Sequence, residues 1–259
     1  MTNIKTTSDM NKVFTLICVG LFILTVSSFG QTVADKAKVA LIYTVTTPEL
    51  KEDMVREVRK ALGNVEILNY EVPEVFNAIN KVGYVTASPA AKLIETYMKA
   101  IEDGADVILN ICSTTADIAY SMQNAAEYIG VPIVIVNEEM CREAVRIGNK
   151  IALMATFQTS IEPTKNIISR VSREMGKHVE VTEVLVEGGF GLDQDKFRAL
   201  MAQKAKEVVN DVDVIVFTQG SMAYCEEYIE NLCKKPVLSN PSYSAKALRA
   251  VLTAKGIKL

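Results

Sequence analysis

Lys38-Val-Ala-Leu-Ile-Tyr-Thr44 is repeated in the second half of the chain as Lys150-Ile-Ala-Leu-Met-Ala-Thr156. A second pair follows in the same order, Asp106-Val-Ile-Leu-Asn-Ile-Cys112 and Asp213-Val-Ile-Val-Phe-Thr-Gln219. Each stretch is a short apolar run that leads into a polar residue, which is typical of a buried strand and the loop after it. A long unit that occurs twice indicates two similar α/β halves, with a natural binding site in the cleft between them.

Short apolar runs alternate with longer amphipathic runs along the rest of the chain. Apolar residues at helical spacing predict helices over residues 90–101, 116–126, 140–147, 161–175 and 244–254. The apolar runs are β-branched and nearly continuous, so we predict that they are buried strands. These runs are Val39–Val45, Val65–Leu68, Val107–Ile111, Ile133–Val136, Ile151–Met154, Val179–Val186 and Val214–Phe217. The alternation predicts an α/β fold of two pseudo-symmetric lobes with mostly parallel sheets.

The boundary between the halves is predicted near Gly148-Asn149-Lys150, which gives an N-terminal lobe over 35–149 and a C-terminal lobe over 150–259. No flexible linker separates them, so the lobes should share an interface. Pro236-Val-Leu-Ser-Asn240 and the helix after it repeat the pattern of Pro132-Ile-Val-Ile-Val-Asn137. The last helix of each half is therefore a candidate to cross over and cover the other lobe.

The composition excludes several classes of site. The 28 basic and 31 acidic residues give a formal net charge of -3 without a long run of either sign, so we expect no nucleic-acid partner. The five cysteines form no CxxC pair and His178 is the only histidine, so spacing assembles no zinc or iron-sulfur site. We therefore expect no bound metal.

The N-terminus has the order of an export signal. Lys5 and Lys12 precede an uncharged, apolar run over residues 13–30, and small residues follow before Gln31 and before Asp35. We predict that residues 1–34 are a signal peptide and that the mature protein is periplasmic or secreted. The alternative is an uncleaved membrane anchor, which would be the chain's only contact with a membrane.

Cys112-Ser113-Thr114-Thr115 follows the predicted strand Val107–Ile111 and precedes a predicted helix, with Ser113 or Thr114 as its cap. Ligands of open parallel sheets gather at the carboxyl ends of strands. A thiol next to a helix N-terminus favours the thiolate form, which is the reactive one. The alternative is that Cys112 is a small buried apolar residue.

The matching junction is Thr218-Gln219-Gly220-Ser221. Gly220 allows a ligand to approach the backbone, and Ser221 is a candidate helix cap. Gln219 donates and accepts hydrogen bonds but is neither an acid nor a base near neutral pH. Its alternative role is an amide that ties two loops together.

Taken together, these motifs resemble those of the aspartate/glutamate/hydantoin racemase superfamily. The two-lobe repeat, the Asp-Val-Ile strand that ends in Cys-Ser-Thr, and the run from Lys150 to Thr159 carry the resemblance, which extends from about Lys38 to the C-terminus. It implies a cofactor-independent fold in which one cysteine from each lobe faces opposite sides of the substrate α-carbon. One thiolate removes the proton, and the other thiol returns it from the opposite face.

Carried over onto this chain, the resemblance puts Cys112 in the first thiol position and Gln219 in the second. It implies a racemase or epimerase that acts at the α-carbon of a small carboxylate. The alternatives are a single-thiol decarboxylase or isomerase of the same superfamily, and an exported small-molecule binding protein that has lost the chemistry. Cys141, Cys225 and Cys233 are more consistent with packed thiols.

The resemblance also implies that hydroxyl, amide and backbone N–H groups hold the substrate carboxylate. The candidates are Thr44, Ser113, Thr114, Thr115, Asn137, Thr156, Thr159, Gly220 and Ser221, with Asn240 at the junction equivalent to Asn137. Gly188-Gly-Phe-Gly191 lacks the lysine and spacing of a nucleotide loop, and we interpret it as a mobile flap. The sequence is also compatible with a homodimer.

Overall fold

A computed structural model describes residues 36–259 of the chain. The predicted signal peptide and Cys18 lie outside the described residues. The elements of the first half are β1 (Lys38–Tyr43), α1 (Pro48–Leu62), β2 (Glu66–Glu71), α2 (Pro73–Val82), α3 (Ala87–Glu102), β3 (Val107–Ile111), α4 (Ala116–Ile129), β4 (Ile133–Ile135) and α5 (Glu138–Ile147). Those of the second half are β5 (Lys150–Ala155), α6 (Ile161–Glu174), β6 (Glu180–Leu185), α7 (Gln194–Val208), β7 (Val214–Phe217), α8 (Glu226–Cys233), β8 (Val237–Leu238) and α9 (Asn240–Ala254).

The strands form two four-stranded parallel sheets with the same order in each half. The first sheet runs β2-β1-β3-β4 and the second runs β6-β5-β7-β8. The four repeated stretches are the central strands β1, β3, β5 and β7, with Val39 paired to Val107 and Ile151 paired to Val214. The predicted α/β fold with mostly parallel sheets is confirmed.

The repeated aspartates have a structural role at the start of the central strands. Asp106 Oδ2 accepts the backbone N–H of Lys38 at 2.8 Å, and Asp213 Oδ2 accepts the N–H of Lys150 at 2.9 Å. Backbone hydrogen bonds from Lys150 and Asn149 lower the pKa of Asp213, which stabilises its charged form. Each carboxylate therefore fixes the register of two neighbouring strands.

The prediction of seven buried strands is wrong for two of them. Strands β2 and β6 form where expected, but most of their residues are exposed or half-buried. The strand order puts both at the edge of a sheet, where at least one face and one row of backbone groups stay accessible. A run of apolar residues does not specify its place in the strand order, so its burial does not follow from the pattern alone.

The last helix of each half packs against the other half. Leu248 and Leu252 of α9 share a buried cluster with Val39 and Leu41 of β1. Met140 and other buried residues of α5 lie in a cluster with residues of β5 and β7. This reciprocal crossing joins the two lobes through their cores, and residues 37–259 form one compact unit. Among the described residues, no helix is both long enough and apolar enough to cross a membrane.

Candidate active site

Cys112 lies directly after the carboxyl end of β3, and 9% of its surface is exposed. Its carbonyl oxygen accepts hydrogen bonds from Asn110 Nδ2 at 3.1 Å and from Thr115 Oγ1 at 3.2 Å. Tyr97 donates its hydroxyl to Asn110 Oδ1 at 3.0 Å. Burial raises the pKa of Tyr97 well above its usual value, which keeps this donor protonated. Three fully or nearly fully buried polar side chains thus hold the backbone that carries the thiol.

The chain after Cys112 forms a 3₁₀ turn, Ser113–Thr115, before α4 begins. The N–H of the last residue of this turn donates to the Cys112 carbonyl at 3.2 Å. The N–H groups of Ser113 and Thr114 come before this first hydrogen bond, so the turn itself offers them no acceptor. The prediction that Ser113 or Thr114 caps the helix is wrong, because no side chain caps α4 and the Ser113 hydroxyl donates to the Thr218 carbonyl of the other lobe.

Gln219 follows β7 at the equivalent position of the second lobe, and its side-chain amide is held by three hydrogen bonds. Its Oε1 accepts the backbone N–H of Thr156 at 3.1 Å and the hydroxyl of Thr218 at 2.8 Å. Its Nε2 donates to Ser160 Oγ at 3.2 Å. The amide therefore has a fixed orientation and has no proton to give near neutral pH. Ser221 does not cap the following helix, since α8 begins only after a 3₁₀ segment that ends at Cys225.

The Thr218 carbonyl is one of the points at which the two lobes are tied together. It accepts Asn137 Nδ2 at 3.1 Å and Asn240 Nδ2 at 3.3 Å, in addition to the Ser113 hydroxyl. Asn240 Nδ2 also donates to Asn137 Oδ1 at 2.7 Å. These bonds keep the Cys112 and Gln219 junctions in a fixed relation, which a site shared by two lobes requires.

Both junctions line one small cavity of about 50 Å³ between the lobes. Of the predicted site residues, those on its wall are Thr44, Cys112, Ser113, Thr114, Gln219, Gly220 and Ser221, together with Asn240. Four others, Thr115, Asn137, Thr156 and Thr159, do not line it. All four contact residues of the site instead. Thr115 bonds the Cys112 carbonyl and Thr159 Oγ1 lies 3.4 Å from Thr114 Oγ1. Asn137 bonds the Thr218 carbonyl, and the N–H of Thr156 bonds Gln219.

An aromatic wall that sequence reasoning missed closes the cavity on one side. Phe76 and Phe157 meet edge to face with ring centroids 4.9 Å apart, and Phe157 and Phe190 follow at 4.8 Å. Phe157 directly follows the repeated Thr156, so its position in the repeat was a usable signal. Phe76 comes from α2 and Phe190 from the predicted flap, and no sequence spacing links these two positions. Val45, Thr47, Leu50, Ile111, Val136 and Ser160 complete the lining.

Two residues that line the cavity each have a buried polar atom without a hydrogen-bond partner among the described residues. These atoms are Thr44 Oγ1 and Asn240 Oδ1, in residues that are each 1% exposed. A buried polar group without a partner costs about 1–3 kcal/mol. Asn240 presents an acceptor, because its nitrogen already donates to Asn137 and Thr218. A ligand with both a donor and an acceptor group would satisfy this wall.

The other described cysteines are packed thiols. Cys141 and Cys225 are fully buried and Cys233 is half-buried, and none of the four described cysteines is paired in a disulfide. Burial raises the pKa of Cys225 to about 11 and also raises the pKa values of Cys141 and Cys233. Within residues 36–259, no group of three or more His, Cys, Asp or Glu side chains is arranged to hold a metal ion.

The family model described as Asp/Glu/Hydantoin racemase matches residues 39–248. Glutamate racemase from Bacillus anthracis has a similar structure, with 15% identity, a TM-score of 0.67, and coverage of 85% of this chain and 83% of that chain. Allantoin racemase from Klebsiella pneumoniae has 20% identity and a TM-score of 0.57, with 86% and 89% of the two chains covered.

An arylmalonate decarboxylase has the same fold with 12% identity and a TM-score of 0.54, and the match covers 85% of this chain and 94% of that chain. No curated protein matches the chain in sequence. These three solved structures are 12–20% identical to the chain, so they establish the fold alone.

Proposed function

The chain belongs to the Asp/Glu/hydantoin racemase family, and from that premise we propose that it is an enzyme in which the Cys112 thiol moves a proton at the α-carbon of a small carboxylate. One observation carries the proposal. Among the described residues that line the cavity, Cys112 has the only ionisable side chain. General acid-base chemistry in this space therefore falls to Cys112.

Hydrogen-bond donors beside the thiol support the same chemistry. The N–H groups of Ser113 and Thr114 have no acceptor in their own turn. The turn after Gln219 is closed in the same way, because Met222 N donates back to Gln219 O at 3.1 Å. The N–H groups of Gly220 and Ser221 therefore also have no acceptor in their own turn. Two pairs of backbone donors thus flank the cavity. Donors fixed in this way stabilise the negative oxygen of an enolate and cost no reorganisation when it forms.

Racemisation requires a second acid or base on the opposite face of the α-carbon. In this proposal Gln219 stands at the position of the second thiol, and its amide is engaged by Thr156, Thr218 and Ser160. The sequence favours a racemase or epimerase, whereas this geometry better supports proton transfer on one face only. In the decarboxylation of a malonate, the bond from the α-carbon to one carboxylate breaks and CO₂ leaves. The electron pair stays on the α-carbon as the enolate of the second carboxylate, and the Cys112 thiol supplies the proton. Solvent then returns a proton to the thiolate.

Proton NMR in deuterium oxide tests the proposal directly. The purified protein is incubated with amino acids, hydroxy acids, hydantoins and substituted malonates, beside the variants Cys112→Ala and Cys112→Ser. We expect exchange or turnover of at least one compound by the wild type, with a loss of at least a hundredfold in both variants, since acid-base groups contribute about 10²–10⁴ in rate.

Cys233→Ser is the matched control, because it also removes one sulfur but lies outside the cavity lining. It should retain the wild-type rate. Products of one handedness would support a single proton donor, whereas equilibration of both hands would support a second group. Ligand binding that survives Cys112→Ala, without turnover of any compound by the wild type, would refute the enzyme and favour the binding protein.

A further inference from the structure

A second and larger groove of about 450 Å³ lies beside the active-site cavity. The two spaces share three lining residues, Thr47, Phe190 and Ser221. Phe190 therefore forms part of the partition between them. The inner cavity of about 50 Å³ is well below the roughly 300–1,000 Å³ typical of ligand pockets. It has room for the reacting centre of a substrate but not for a bulky substituent on it.

Phe190 belongs to a glycine-rich loop between β6 and α7. It remains 45% exposed although its ring packs against Phe157. Gly188 and Gly191 have φ values of +71° and +86°, a region that glycine adopts without strain. Gly189 is fixed by close packing, because a Cβ there would lie 2.9 Å from the Phe197 ring. Glycines with positive φ values therefore lie on both sides of Phe190, at the boundary between the two spaces.

The described lining residues of the groove include no cation that could bind an acidic substituent of a substrate. Its wall includes the apolar or aromatic side chains of Phe190, Leu192, Phe197 and Tyr224. Glu49 is the only charged residue among its described lining residues. Thr156 Oγ1 also faces no hydrogen-bond partner among residues 36–259, although it is shielded from solvent. A substituent that carries a carboxylate would find no cation among the described lining residues of either space and one like charge, Glu49, in the groove.

We propose that this outer groove binds an apolar substituent on the α-carbon of the substrate and that Phe190 determines which substituents enter. The substrate class is then an α-carboxylate with an aryl or bulky alkyl substituent, and compounds whose substituent carries a carboxylate, such as aspartate and glutamate, are excluded. This inference rests on the proposed proton transfer at Cys112, because that reaction places the α-carbon in the inner cavity. The carboxylate stays with the neutral donors there, and the substituent passes Phe190 into the groove.

The test measures binding separately from turnover. Alanine, phenylalanine and glutamate, and malonates with the same three substituents, are titrated by calorimetry into the Cys112→Ser protein, and exchange is followed with the wild type. We expect the benzyl ligand to bind at least tenfold more tightly than the carboxyethyl ligand. Phe190→Trp should weaken the binding of the benzyl ligand about tenfold and change the binding of the methyl ligand less than twofold. The reason is that mismatch of one group in an apolar pocket costs about 10–200-fold in discrimination.

Three further variants sharpen the result. Glu49→Gln should improve binding of the carboxyethyl ligand without affecting the benzyl ligand, because it removes the like charge. Tyr128→Ala is the control for loss of a surface aromatic, since Tyr128 is 94% exposed and lines neither space. Phe190→Leu keeps an apolar side chain, and thermal denaturation of each variant verifies folding.

The outcomes separate the two proposals. The expected order of binding without exchange of any compound would support the groove and refute the proton transfer. If the wild type catalyses exchange but the Phe190 variants change the affinity of every ligand by the same factor, the role of the groove is refuted and the proton transfer stands. Tighter binding of the carboxyethyl ligand than of the benzyl ligand, or no binding of any ligand, would also overturn the assignment of the groove.

Discussion

Replacing Thr44 with valine removes one oxygen atom and leaves the shape of the side chain almost unchanged. Thr44 is 1% exposed, and its hydroxyl has no partner among the described residues. A buried polar group without a partner costs about 1–3 kcal/mol, so we expect Thr44→Val to raise the free energy of unfolding by about that amount. For a chain of this size, each kcal/mol raises Tm by about 2–4 °C.

Urea denaturation and thermal melts of the ligand-free protein measure this change. Thr164→Val is the matched control, because Thr164 is fully buried and its hydroxyl accepts Asn137 Nδ2 at 3.1 Å and donates to the Ser160 carbonyl at 2.8 Å. The same substitution there breaks two hydrogen bonds and leaves their partners buried. We expect it to lower the free energy of unfolding by about 1–3 kcal/mol, which is the opposite sign.

The stability gained in Thr44→Val should be matched by a loss of ligand binding. Once a substrate is found, the variant should bind it about tenfold more weakly, which corresponds to about 1.4 kcal/mol for one lost hydrogen bond. A fall in the unfolding free energy of ligand-free Thr44→Val would refute the reasoning, since it would mean that the hydroxyl is already satisfied. Unchanged affinity would show that the hydroxyl does not contact the ligand.

Three further predictions follow from the surroundings of other side chains. Asn110→Ala removes the acceptor of the Tyr97 hydroxyl and one donor to the Cys112 carbonyl. We expect urea denaturation to show a free energy of unfolding that is lower by about 1–3 kcal/mol, and we expect a lower kcat. An unchanged kcat would argue against a positioning role for Asn110. Iodoacetamide at pH 8 should label Cys112 faster than Cys225, because burial raises the pKa of Cys225 to about 11. Peptide mass spectrometry measures the two rates, and equal rates would contradict this expectation. Burial raises the pKa of Glu226, so the folded chain keeps this proton to higher pH than the unfolded chain and stability falls as pH rises through that range. Glu226→Gln should therefore raise the free energy of unfolding more at pH 7 than at pH 4, and an equal gain at both pH values would contradict the assigned cause.

The sequence predicts those parts of the molecule in which one strand and its following loop are enough. The repeated stretches identify the central strands, and the carboxyl ends of parallel strands meet at the same edge of a sheet. For this reason Cys112 and Gln219 were expected in one cleft, and both line the same cavity. Their catalytic roles stay predictions.

Features that depend on distant parts of the chain were not predictable in the same way. The aromatic wall combines Phe76 of α2 with Phe157 and Phe190, which lie far from it in sequence. The helix after Cys112 was expected to be capped by Ser113 or Thr114, but a carbonyl of the other lobe accepts the Ser113 hydroxyl. Local propensity could not anticipate this, because the competing acceptor exists only after the two lobes have packed.

The crossing of α5 and α9 has a consequence for the history of such a chain. A single half on its own would expose the sheet face that the helix of the other half covers. A half-length ancestor would therefore bury its core only by exchanging helices with a second copy of itself. Such a symmetric pair carries identical residues at both junctions. Joining the two copies into one chain removes that restriction, and only then can one junction hold a cysteine while its counterpart holds a glutamine.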